Sequence, residues 1–187
     1  PGASTAQDRH EGWIEAIEET PNVNLLTCQP ANYNRLKGME VMENLLQRYS
    51  EIDVVLTACD EQALGCVEAI DAARRLDEIF VTGINGVRNA CQSIVEGKLN
   101  ATIDYSGVFL GYVSTKAAIE WLHSASVPQY VIAPSEVIDK TNAKPRTVPA
   151  EESPLPNYNK IVTQMQEKGI PMIRETFKAK GPKALPH

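Results

Sequence analysis

Between residues 5 and 126 the sequence alternates between two periods: amphipathic helices recurring at about 3.6 residues, and short β-branched apolar runs. Nothing else in it narrows the fold as much. Helices are predicted over "TAQDRHEGWIEAIEET", where Trp13 and Ile17 stand at i, i+4 and Pro21 is the stop, and over "NYNRLKGMEVMENLLQRYS", with Leu36, Met39, Met42, Leu45, Leu46 and Tyr49 on one stripe. Three more follow: "EQALGCVEAIDAARRL" behind Asp60 as N-cap, "RNACQSIVEG" closed by Gly97, and "GVFLGYVSTKAAIEWLHSA". Strands are predicted over "NVNLLTC", "IDVVLTAC", "EIFVTGI" and "NATIDY". The second of these is apolar on nearly every residue, as strands covered on both faces are.

Strands and helices alternating at about 25 to 30 residues predict an α/β fold with a doubly wound parallel sheet. Ligands of such sheets sit outside the carboxyl ends of the strands. That rule nominates Cys28-Gln29, Cys59-Asp60, Asn85 and Asp104-Tyr105. After residue 126 the pattern changes. Residues 127–140, "VPQYVIAPSEVIDK", read as extended, and residues 141–187 as a proline-bearing surface tail with one short helix, "YNKIVTQMQEKG". Few buried apolar residues are expected in the tail beyond a patch of Ile161, Met165 and Ile170.

Composition excludes several functions. The formal charge of −6 argues against a nucleic-acid partner. No apolar run approaches the roughly 20 residues that span a bilayer. The four cysteines and three histidines hold no metal-ligand spacing, so no metal is expected, and Cys66 and Cys91 read as small apolar residues on buried helix faces. "VTGINGVRNA" resembles the phosphate turn of nicotinamide-dependent enzymes, but Arg88 occupies the next position that must be glycine, and no cofactor is expected. No nucleophile motif is present. Cys59 precedes a helix whose dipole would favour thiolate, but no base accompanies it. A non-enzymatic binding role is the remaining expectation.

In order and spacing, "GASTAQDRHEGW", "QPANYNRLKGMEVMENLL", "CDEQALGCVEAI", "VTGING" and "EGKLNATIDY" resemble the ribose-type periplasmic binding proteins, the type I solute receptors of bacterial ABC importers. The likeness runs over about residues 2 to 140. It implies the carboxyl-terminal lobe of a two-lobed receptor over residues 1–126 and the last crossing or hinge segment over 127–140. It further implies a missing amino-terminal lobe, a membrane permease as partner and a periplasmic or lipid-anchored location. Ligand-binding positions carried over from the family are Gln7, where the family has Arg; Tyr33, at the aromatic position; Cys59, for a hinge Asn; Asn85, for an Asp; and Tyr105, for a Gln. Two charged contacts thereby become neutral amides, which implies a small neutral sugar, polyol or less hydroxylated solute rather than ribose. Gly83 and Gly86 are expected to turn the backbone so that Asn85 faces the solute.

The resemblance leaves two alternatives: the effector domain of a lac-repressor-family regulator, and a receptor reporting to a chemoreceptor or sensor kinase. It also implies that a strand precedes Gly2 and lies between "NVNLLTC" and "IDVVLTAC", so that the chain is the carboxyl-terminal part of a longer polypeptide. Cys28 and Cys59 would then end strands two positions apart, roughly 9–10 Å, too far for a disulfide.

Overall fold

A computed structural model describes residues 4–104, 107–123, 125–149, 152 and 155–173. In chain order its elements are α1 (Ser4–Glu18), α2 (Arg35–Arg48), β1 (Val54–Leu56), α3 (Asp60–Ala72), β2 (Phe80–Asn85), α4 (Arg88–Val95), β3 (Ala101–Asp104), α5 (Gly107–Leu122), β4 (Val127–Pro128), β5 (Glu136–Ile138), a 3-10 turn at Lys144–Thr147, α6 (Tyr158–Glu167) and β6 (Met172–Ile173). They fall into two compact units, one within residues 1–105 and 135–149, the other within 106–134 and 150–187.

The first unit is built on a sheet of order β1-β2-β3-β5, whose first three strands are parallel and whose last is antiparallel. Register puts Val55, Val81, Gly83, Thr102 and Ile138 on one face. That face packs on α3 and α4 through Ile70, Ala90, Cys91 and Ile94, and Met42 of α2 closes the same core. Cys66 and Cys91 are buried in it, as expected of small apolar residues. The opposite face carries Val54, Phe80, Ile103 and Val137, all exposed. Apolar residues on both faces are what made the sequence of β1 read as an uninterrupted run.

Helix α2 begins where Asn34 Oδ1 accepts the Lys37 amide at 2.9 Å. Its stripe is narrower than predicted: Met39, Met42, Leu45, Leu46 and Tyr49 pack inward, whereas Leu36 is 59% exposed. Helix α3 lies against α2 at two glycines, Gly38 and Gly65, whose missing side chains let the backbones touch.

Two sequence expectations need correction. Residues 22–28, "NVNLLTC", form no strand, and Val23, Leu25 and Leu26 are exposed. A strand exists only with a hydrogen-bonding neighbour, and among the described residues β1 pairs with β2 alone. Asp60 is not the N-cap of α3. Cys59 takes that position in extended geometry, without a side-chain bond, and Asp60 is the first helical residue. Its carboxylate goes instead to other elements.

The second unit joins α5 and α6 around Val113, Tyr158, Ile161, Met165 and Ile170. The short strands β4 and β6 pair antiparallel beside them, Val127 with Ile173 and Pro128 with Met172. The tail's expected trio of Ile161, Met165 and Ile170 is buried there together with Tyr158. Helix α5, read from sequence as part of a lobe over 1–126, packs in this unit.

Candidate functional site

Across the carboxyl edge of the sheet runs a row of polar residues in register. Asn85 pairs with Asp104, and Asp104 with Glu136. Asn85 has φ +130, a backbone conformation that side chains rarely adopt. Gly86 follows at φ +66. Such strained positions concentrate where a binding site needs a group aimed off the regular backbone path.

The two glycines of this loop do different work from each other. Gly86 supplies the turn, as the sequence suggested. Gly83 lies inside β2, where a Cβ would overlap Asp60 Oδ1 and stand 3.3 Å from the Ala63 side chain. It permits close approach and does not make the turn.

Asp60 occupies the space that Gly83 leaves and is 1% exposed. Its Oδ1 accepts from Thr102 Oγ1 at 2.5 Å, and its Oδ2 from the Val87 amide at 2.7 Å. Thr102 Oγ1 in turn accepts the Gly86 amide at 3.3 Å. Burial pushes the Asp60 carboxyl above its ordinary range; the bonds from Thr102, Val87 and Gly86 pull the other way without cancelling it.

Of the residues nominated from sequence, Gln7, Tyr33, Cys59 and Asn85 lie in the first unit, and Tyr105 lies outside the described residues. Tyr33 sits in a turn where it and Asn32 both have positive φ, +55 and +51. Its hydroxyl is 3.5 Å from Thr5 Oγ1, which ties the start of α1 to this turn. Arg9 donates to the Ala58 carbonyl just beyond the end of β1, so α1 also reaches the strand-end region. Gln7 is exposed and, by helical spacing, lies on the far side of α1 from Thr5 and Arg9. It makes no hydrogen bond to Tyr33, Cys59 or Asn85. Cys59 is buried, and its thiol is pushed above the ordinary range by that burial, against the helix amides of Gln62 and Glu61. The thiolate that a helix dipole would favour is therefore not the preferred form. Cys28 and Gln29 are exposed and end no strand.

Sequence reasoning missed Arg146, whose guanidinium spans Asp104 Oδ2 and Glu136 Oε2. It also missed the part played by Thr102. A polar residue at an inward strand position was the available signal for Thr102; none existed for Arg146, which comes from a turn 42 residues later than Asp104.

An α/β sheet with its polar row at the carboxyl edge belongs to the class that binds small molecules at that edge. The particular family follows from comparison. Residues 1–124 match the periplasmic binding protein domain, and the chain belongs to that family. It is similar to the ribose import binding protein of Bacillus subtilis, 37% identical over 134 residues that make up 72% of this chain and 43% of that one. Among solved structures it resembles an ABC transporter periplasmic solute binding protein from Actinobacillus succinogenes with bound D-allose. That likeness has TM-score 0.74 and 25% identity, and covers 78% of this chain and 51% of the other. It also resembles a solute binding protein from Bacillus halodurans with bound myo-inositol, at TM-score 0.68 and 30% identity, covering 74% and 48%. The chain spans about half the length of the relatives it matches.

Proposed function

We propose that residues 1–126 form the carboxyl-terminal lobe of a receptor for a small neutral sugar, polyol or similar solute. In this reading residues 127–140 make a crossing to a second lobe, and residues 141–187 are a surface tail. Closure of the cleft around the solute delivers it, outside the cytoplasmic membrane, to the permease of an ABC importer. The observation that carries the reading is Asn85, held at φ +130 at the carboxyl end of β2, where its amide can both donate to and accept from a hydroxyl. Tyr33, Cys59 and Tyr105 complete the proposed contacts, with Tyr33 offering an aromatic face to the C–H side of a ring, and Gln7, on the far side of α1, is left out of them. The names of the similar proteins support a carbohydrate or polyol: ribose, D-allose and myo-inositol.

Calorimetry of the complete receptor against D-allose, myo-inositol and ribose tests the proposal. Binding of a neutral polyol is expected, and Asn85→Ala should weaken it by about 1–3 kcal/mol if the amide pairs with a buried hydroxyl. Binding confined to strongly charged solutes would overturn the proposal. Tight ribose binding would overturn its assignment of altered contacts.

A further inference from the structure

The geometry points to Asp60 as the positioning residue of the ligand loop: its buried carboxylate holds residues 85–87 so that Asn85 keeps its strained, site-facing backbone. This rests on the reading of Asn85 as a ligand contact.

Three elements meet at this one side chain. Asp60 opens α3, its Oδ2 takes the Val87 amide at the end of the loop, and its Oδ1 takes the hydroxyl of Thr102 in β3. Thr102 passes the tether on to the Gly86 amide, so two successive loop amides are fixed, directly or through one hydroxyl, to a single carboxylate. Asn85, the residue before these two amides, thus has its following backbone held on the side away from solvent. Gly83 is the enabling residue, because any side chain there would displace the carboxylate. With its upward-shifted carboxyl the charged form is disfavoured by the fold relative to water. A group retained at the expense of stability, with its bonds directed at a strained loop, fits preorganisation of that loop. Asp60 lies beneath the loop, 1% exposed, and its assigned role is positioning rather than contact with the solute.

Two substitutions at Thr102 separate positioning from packing. Thr102→Val keeps the shape and deletes the hydroxyl, whereas Thr102→Ser keeps the hydroxyl and deletes a methyl. A packing role makes Ser the worse of the two; a tether makes Val the worse. The full-length receptor is titrated with D-allose and myo-inositol, and hydrogen exchange is measured at the Gly86 and Val87 amides. About a tenfold loss of affinity is expected in Thr102→Val and in Asp60→Asn, with Thr102→Ser near wild type. Val87→Pro is a further check, since Val87 already has the φ of −68 that proline fixes and the substitution removes the donated N–H, while the glycine before it tolerates the added ring best; it should reproduce the loss. Unchanged affinity in Thr102→Val and Val87→Pro would overturn the inference. If the wild-type receptor binds neither probe, the solute reading fails by itself, and exchange decides the tether. At least tenfold faster exchange at Gly86 in Thr102→Val, without change elsewhere in the sheet, supports it, and unchanged exchange overturns it.

Discussion

Arg146 Nη1 lies 2.5 Å from Asp104 Oδ2, joining the turn at Lys144–Thr147 to the carboxyl end of β3. The other terminal nitrogen reaches Glu136 Oε2 at 2.6 Å, and Arg88 Nε from α4 donates to the Thr147 carbonyl at 2.8 Å. Asp104 is the more enclosed carboxylate and Glu136 the more open one, so the Asp104 contact should dominate. Arg146→Ala is expected to destabilise the first unit by about 1–3 kcal/mol, with the loss falling on Asp104 left without its cation. Arg146→Lys should recover little, because an ammonium cannot span two carboxylates as a planar fork does. Urea unfolding at low and high salt checks both: the Ala cost should shrink only modestly with salt. A cost that vanishes in salt would show the pair to be merely a surface one.

Gly65 faces the Arg35 carbonyl of α2, and a Cβ there would overlap it while standing 2.9 Å from the Met39 amide. Both obstacles are backbone and cannot rotate aside. Gly65→Ala should therefore cost about 2–3 kcal/mol by forcing α2 from α3. Gly12 in α1 has nothing within 4 Å of its would-be Cβ, so Gly12→Ala should stabilise by about 0.5–1 kcal/mol through helix propensity alone. Thermal unfolding of the two variants should move in opposite directions.

The contrast shows what the sequence revealed and what it hid. Helix periodicity located all six α-helices of the described residues, and the apolar runs located β1, β2 and β3, because each is a pattern written in neighbouring residues. Residues 22–28 have the same apolar run and are no strand, since pairing needs a neighbour that local pattern does not supply. The strand-end rule found Asn85, which the structure places at the edge in a strained conformation. The rule could not say that Asp60 leaves its own helix to bond Val87 and Thr102, because that depends on how closely α3 approaches β2, and so on Gly83. Cys59 was misjudged in its chemistry for a related reason: the helix amides were visible in the sequence, but the burial that outweighs them was not.

The cysteines should divide by reactivity. Cys28 is exposed, whereas Cys59, Cys66 and Cys91 are buried and all four are free. Burial pushes the Cys66 thiol up to about 12 and the Cys91 thiol up to about 11, so at pH 8 both are almost entirely protonated and shielded. Iodoacetamide at pH 8 should label Cys28 promptly under native conditions and reach Cys66 and Cys91 only after urea is added, as read by peptide mass spectrometry. Rapid native labelling of Cys91 would mean that α4 leaves the sheet.

Asp60 should also show itself in the pH dependence of stability. Its folded-state pKa is raised above the ordinary value of 3.8, by burial first and then by the nearby Glu61 charge. The folded protein therefore binds this proton at a pH where the unfolded chain does not, and stability falls as pH rises through that window. Lowering the pH from neutral should bring an increment of stability from this group that begins at the raised pKa and is complete near 3.8. The Cys59 and Cys91 thiols, both raised by burial, stay protonated over this range, while the Asp139 carboxyl is shifted downward and so acts in the opposite sense. Asp60→Asn leaves those groups in place and removes only the one in question. The stability of wild type minus that of Asp60→Asn, from urea unfolding between pH 4 and 7, should therefore rise as pH falls. A difference that stays flat, or that rises with pH, would mean that the hydrogen bonds from Thr102, Val87 and Gly86 outweigh burial and hold the carboxylate in its charged form.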